Sequence, residues 1–415
     1  MAGNAEVFSA VGTSINPAEL KIALLCRGAV VDDNCRLKED GRPICNTRAD
    51  LASGLEMILP GEMRELWVNV PVREKFVEKS PYRLVRTPDG YQLRDESRRI
   101  SCNVKLAPKA DWYDTRTKRG ILMSQIGTLQ GTILILHLGT QQRFWGESQD
   151  FDSLPGGTES CGTLQPAEAT VEDVVETAAM AQKKSGVTFV LVRGGYPHDG
   201  GLKRIFPYLE ALKGEVGILV GVQFPPEEDL RVYDQACALG VDHFSFCLEL
   251  FDKEYFERYV PNRFDAPGQD IYFRAIEHCA GIMGKGRNSG EIVAGLEPVE
   301  NSLRAIDYFV SEAVLPLVSI LRPLQGTILE DFAPPRPQEM LEVFRHVYQA
   351  CRAQNLPLGM APNIQLSVLP HPEDTLYLAP DSLDCRSYQL WNQTMRQVMR
   401  PYFLRRMRKN RIPKE

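Results

Sequence analysis

Residues 132–157 read TILILHLGTQQRFWGESQDFDSLPGG. The first seven, Thr132–Leu138, are a continuous β-branched and apolar run, the pattern of a parallel strand buried on both faces. From Gly139 the character changes to a long loop of polar, aromatic and glycine residues. A strand that empties into such a loop and then into a helix is the first half of a βαβ unit. Thr170 supplies the helix start, with Asp173 three positions on in a capping-box arrangement. Val171, Val174, Val175 and Ala178 give that helix one apolar face, and Gly186 ends it.

The unit repeats downstream. Strands are expected at Thr188–Val192, Gly217–Gln223, His243–Leu248, Glu291–Leu296 and Leu315–Leu321. Helices are expected over Leu202–Leu212, Glu227–Leu239, Ile271–Met283, Ser302–Ser311 and Gln338–Ala353. Six strand–helix repeats of ~30 residues predict an α/β fold, a partial (β/α)6 TIM-type barrel. In such barrels the chemistry sits on the loops after the strands' C-terminal ends. Before the barrel, Pro17–Arg27 reads as a helix, and Arg64–Pro71 and Tyr82–Tyr91 read as strands. The expected organisation is an N-terminal α+β accessory segment over 1–125, the barrel over 126–350 and a C-terminal helical extension over 351–415. Arg396–Lys414 mixes basic residues with Met, Tyr and Phe; it reads either as a solvated amphipathic helix or as a partner-docking segment.

A net charge of −6 argues against general attraction to nucleic acid or anionic membranes. No apolar run approaches the ~18–20 residues that span a bilayer. The N-terminus lacks a basic flank followed by an apolar core, so a cytoplasmic location is expected. The ten cysteines contain no C-x2-C or C-x3-C spacing. Cys237, Cys247 and Cys279 fall inside apolar patterns, where a thiol behaves as a small hydrophobe. Reduced thiols and no metal site are expected.

With Cys substituted at 142, 149 and 152, the loop reads LGTQCRFWGESCDFCSLPGG. In that form it resembles the cluster loop of radical S-adenosylmethionine (SAM) enzymes of the biotin-synthase-like branch, including an aromatic residue, Phe151, before the third thiolate. Arg193-Gly194-Gly195 resembles the branch's GG motif at the methionine end of SAM. Cys247-Leu248-Glu249 matches the position of an acidic residue facing SAM. Gly286-Arg287-Asn288-Ser289 and Ala294-Gly295-Leu296-Glu297 resemble the fifth-strand motif beside adenosine. Pro323-Leu324-Gln325-Gly326-Thr327 resembles the sixth-strand turn. The resemblance covers roughly residues 110–345. It implies SAM as substrate or ligand at Gln142, Arg143, Gln149, Asp152, Gly194, Gly195, Glu249, Arg287, Ser289 and Gly295.

The departure is the loss of all three thiols to Gln142, Gln149 and Asp152. Amides are hard, neutral and poor ligands for iron, and one Asp cannot hold a cluster, so no [4Fe–4S] cluster is expected. Asp152 is then the candidate partner of the SAM ammonium, and Gln142, Gln149 or Arg143 of its carboxylate. A sulfonium is electrophilic without a metal, so polar chemistry is the expectation: group transfer, or intramolecular displacement releasing methylthioadenosine. His198, Asp199 and Glu297 are the acid/base candidates, acting on an unidentified small-molecule substrate. Against this stand structural roles: Gly194-Gly195 as a tight turn, and Glu249 and Glu297 as helix-start carboxylates. The alternative function is a non-catalytic SAM-binding or scaffold protein, with a protein partner or a second copy.

Overall fold

The computed structural model describes residues 16–42, 54–138, 169–194, 201–260, 268–324 and 329–408. Helix α1 (Pro17–Arg27) starts where the Asn16 side chain accepts from the Ala18 and Glu19 backbone N–H groups. Strands β1 (Val30–Val31), β2 (Gly54–Leu59), β3 (Leu66–Pro71), β4 (Tyr82–Thr87), β5 (Gly90–Asp95) and β6 (Ile100–Leu106) form one sheet, ordered β1-β4-β5-β6-β2-β3. The stretch expected as a strand over Tyr82–Tyr91 is a hairpin. Its two-residue connection, Pro88-Asp89, is turn chemistry that breaks a strand.

A short helix α2 (Met123–Ile126) leads to β7 (Gly127–Gln130) and β8 (Ile133–His137). There follow α3 (Val171–Ser185), β9 (Phe189–Arg193), α4 (Phe206–Ala211), β10 (Leu219–Gln223), α5 (Arg231–Ala238) and β11 (His243–Glu249). Then come α6 (Lys253–Tyr259), α7 (Asp270–Met283), β12 (Asn288–Ala294), α8 (Val299–Ser311), β13 (Leu315–Ile320), α9 (Pro337–Ala353) and α10 (Leu383–Arg406). Thr170 caps α3 in a reciprocal box with Asp173, and Gly186 ends it in a left-handed conformation, as the sequence predicts.

The second sheet runs β7 to β13 in strict sequence order; β8 to β13 are parallel and β7 is an antiparallel edge. Crossovers that always step the same way, with the right-handed sense such connections take, put the helices on one face and curl the sheet. The result is a partial (β/α)6 barrel. Outward residues such as Leu134, Leu136, Val190, Val192 and Val220 share a core with Val174, Ala178 and Ala181 of α3. Inward residues Ile133, Ile135, Phe189, Leu191 and Leu219 form a separate apolar cluster near the strands' N-terminal ends.

The chain after α9 closes that end of the barrel. Ala361, Ile364, Leu366, Phe403 and Met407 pack against the inward cluster. Thr132 N donates to Gln365 O at 3.0 Å, and Thr188 Oγ1 donates to Pro362 O at 2.6 Å. Arg406 Nε donates to Asp242 Oδ1 at 2.6 Å, while Lys213 Nζ donates to Asp242 Oδ2 at 2.8 Å and to Arg406 O at 3.0 Å. The described end of the basic segment is therefore anchored to the barrel floor rather than simply solvated.

A buried polar seam joins the first sheet to the rest. Lys21, 1% exposed, donates to Asp374 Oδ2 at 2.8 Å and to Leu366 O at 2.6 Å. Arg64 pairs with Glu373 and Asp374, and Arg396 pairs with Glu373. Arg322, just after β13, donates to Glu74 Oε1 at 2.6 Å and to Asn69 Oδ1 at 3.2 Å. Among the described cysteines all are free thiols, and burial pushes Cys26, Cys102 and Cys351 up to about 12. No described helix is long and apolar enough to cross a membrane.

Candidate functional site

Inward positions change character along the strands: apolar at the floor, polar toward the C-terminal ends. The parallel register sets Arg193 (β9), Gln223 (β10) and Ser245 (β11) side by side. Gln223 Nε2 donates to Ser245 Oγ and to Glu291 Oε2 of β12, both at 3.0 Å. Ser319 Oγ of β13 donates to Glu291 Oε1 at 2.7 Å. Glu291 is 8% exposed and has no cation partner among the described residues. Arg193 Nε is buried and meets no acceptor among the described residues. Among the described residues the bore is thus lined by a hydrogen-bonded row, with Arg193 lacking a charge partner near one end and Glu291 lacking one near the other.

Glu249 closes β11 at the mouth. Its φ is +68°, a left-handed conformation costly for a side-chain-bearing residue, and the pairing with β12 shifts register between Cys247 and Glu249. Such an irregularity re-aims a side chain and concentrates at functional sites. Glu249 is buried, and the Cys247 thiol donates to its Oε1 at 3.2 Å. Gly194 follows β9 so closely packed that a Cβ there would lie 1.9 Å from the Phe224 ring and 2.8 Å from Leu138 O. Gly295, at φ +103°, ends β12, where a Cβ would meet Pro335 at 2.2 Å. Glu249, Gly194 and Gly295 are therefore all at strand C-termini.

Glu297 is also near the mouth, but its carboxylate is already engaged. It accepts from the backbone N–H groups of Phe251 and Asp252, each at 3.1 Å, just ahead of α6. Burial raises its pKa, partly opposed by those two donors. That is the helix-start role weighed against acid/base work.

Two expected residues lie at the wrong end. β12 begins at Asn288, three residues earlier than predicted, so Arg287 and Ser289 sit at its floor end. Arg287 stacks 6.0 Å over the Tyr402 ring of α10. Ser289 shares a 2.9 Å hydrogen bond with His243 Nε2, whose pKa burial and nearby Arg287 lower to about 4. Neither reaches a ligand at the mouth. Gln142, Arg143, Gln149, Asp152, Gly195, His198 and Asp199 lie outside the described residues. Arg193, Gln223, Glu291 and Ser319 were not singled out as ligand-binding residues from sequence; the signal was polar residues at alternate, inward positions of otherwise apolar strands.

No family model matches the chain. It is 25% identical over 123 residues to the bacteriochlorophyllide c C-7(1)-hydroxylase of Chlorobaculum limnaeum, 29% of this chain and 31% of that protein. The chain thus spans about a third of the length of the curated relative it matches. Among solved structures it is similar to methylornithine synthase, at 15% identity and TM-score 0.39, covering 53% of this chain and 64% of that one. It is also similar to HydG, a maturase of the [FeFe]-hydrogenase, at 13% identity and TM-score 0.40, covering 55% and 52%. A third is the Escherichia coli coproporphyrinogen III oxidase HemN, described as a radical SAM enzyme. There the identity is 14%, the TM-score 0.36 and the coverage 59% and 58%.

Proposed function

We propose that this chain is a SAM-dependent enzyme that binds SAM at the barrel mouth and performs polar, non-radical chemistry at the sulfonium. The observation that supports it most is Glu249: a buried carboxylate, held left-handed at the end of β11 where a cationic or hydroxyl-bearing ligand would meet it. Gly194 and Gly295 follow β9 and β12 at the same end of the sheet, where a Cβ would collide with Phe224 and with Pro335. Attack on a sulfonium carbon breaks its C–S bond, returns the electron pair to sulfur as a neutral thioether and frees a nucleophile's proton. The chain must then position the nucleophile and accept that proton. His198 and Asp199 are the proposed proton acceptors. Asp152, Gln142, Gln149 and Arg143 are the proposed grip on the methionine end.

The donor set does not fit an iron–sulfur cluster. Two neutral amides and one carboxylate stand where the resemblance requires three thiolates.

Calorimetry with SAM, S-adenosylhomocysteine and methylthioadenosine, followed by a mass-spectrometric product scan, tests the reading. Binding of SAM, with a thioether product and no dependence on reductant, is expected. Absence of binding by all three at millimolar concentration would leave the scaffold reading.

A further inference from the structure

Arg193 and Glu291 are opposite charges on the inner wall of one barrel, and neither has a charge partner among the described residues. Burying an uncompensated charge is costly, and proteins keep such groups where a ligand supplies the missing partner. Gln223 stands between them, in register with Arg193 on the adjacent strand and 3.0 Å from Glu291 Oε2. Each Glu291 oxygen accepts one described hydrogen bond, so each retains acceptor capacity. The guanidinium can use its Nε edge for a planar, two-point contact that suits a carboxylate. A dianionic phosphate would suit the cation but face Glu291 across the bore.

We propose that this pair is an α-amino-acid site, with Arg193 taking the ligand's carboxylate and Glu291 its ammonium. Gln223 and Ser319 are positioning residues that fix the Glu291 carboxylate from both sides. Two sources share this chemistry: the methionine end of SAM, and a separate amino-acid substrate. The inference builds on the reading of the barrel mouth as a ligand site, yet it does not require that SAM be the ligand.

The test uses the full chain, with Arg193→Met and Glu291→Gln beside the unsubstituted protein. Melting temperatures are measured with L-alanine, L-methionine and propionate, each against chloride at equal ionic strength. Affinities for SAM and methylthioadenosine, which lacks the amino-acid group, are measured by calorimetry. Arg193→Met should melt higher than the unsubstituted protein without ligand, because a half-buried cation whose buried Nε meets no acceptor among the described residues is gone. If the amino acid belongs to SAM, both substitutions weaken SAM about tenfold or more and leave methylthioadenosine unchanged. If it belongs to a second substrate, SAM affinity is unchanged and stabilisation by free amino acids disappears. Propionate should then respond to Arg193→Met and not to Glu291→Gln. Failure of SAM to bind while amino acids still stabilise would sink the SAM reading and keep this one. Unchanged responses in both variants, or a lower melting temperature for ligand-free Arg193→Met, would overturn the proposal. Should Arg193→Met not fold, Arg193→Lys decides. It keeps the charge but loses the fork, so carboxylate binding should fall several-fold; an unchanged affinity rejects the site.

Discussion

Replacing Asp374 by Asn should expose what the buried seam holds in check. The carboxylate sits between Lys21 and Arg64 and accepts the His371 N–H at 2.9 Å. Burial alone would raise its pKa, but Lys21 and Arg64 outweigh burial and hold it below the usual range. Burial pulls Lys21 the other way, down from its ordinary value, against the attraction of Asp374. In Asp374→Asn, Arg64 keeps Glu373, while the ammonium of Lys21 keeps Leu366 O as acceptor and only the weaker attraction of Glu56. A buried charge left this way costs about 3–5 kcal/mol. Loss of the proton caps the cost: from an unfolded pKa of about 10.4 to pH 7, at 1.36 kcal/mol per unit, the ceiling is roughly 4.6 kcal/mol.

The sign with pH follows. Once Lys21 of the folded variant has lost its proton it binds one proton fewer than the unfolded chain, so above that pH the variant's stability rises by about 1.4 kcal/mol per unit. Urea unfolding of both proteins at pH 7, 8 and 9 should show the gap closing at that rate. A gap that stays flat over this range, or is below about 1 kcal/mol at pH 7, would refute the reasoning. At acid pH the unsubstituted protein should lose the Asp374 contribution as pH falls below the ordinary carboxylate range, since its folded pKa is the lower one.

Asp242→Ala removes the shared acceptor of Lys213 and Arg406 and should cost about 2–4 kcal/mol, with faster amide exchange over residues 396–406 by mass spectrometry. Gly194→Ala should destabilise by about 1–3 kcal/mol in urea, because its Cβ collides with Phe224 and Leu138 O; an unchanged midpoint would contradict that packing. Anaerobic reconstitution with iron and sulfide should leave the protein colourless, and stoichiometric uptake of both would count against the polar reading. Asp152→Ala should raise the SAM dissociation constant with little change in melting temperature, and silence in a tightly binding protein would exclude that loop from the methionine grip.

The six barrel strands were legible because each carries a short stretch dominated by apolar and β-branched residues, and such stretches owe little to distant context. Thr170, Asp173 and Gly186 marked α3 for the same reason: capping is local. The edge of β12 was not legible. Asn288, Ser289 and Gly290 look like loop residues, yet they are paired with Phe244, Ser245 and Phe246, and that misplaced Arg287 and Ser289. The floor was equally hidden, since nothing local to Ile364 or Phe403 says that they meet Ile135 and Leu191. Arg193 was quoted only as the residue before two glycines; its isolation shows once Gln223 and Ser245 stand beside it.

The seam that ties Lys21 to Asp374 spans 353 positions of chain. Closing contacts between such remote residues must overcome loop entropy before any of their energy is recovered, which slows folding. During synthesis the first sheet emerges with Lys21 and Arg64 lacking their counter-ions, and the inward faces of β8 and β9 emerge without residues 361–366 beneath them. The barrel therefore spends most of its translation with an open lower rim, a hydrophobic surface suited to chaperone capture. The final compaction waits on the residues from Pro362 onward, so a nascent chain halted before Pro362 should be protease-sensitive throughout, including strands whose own sequence is complete.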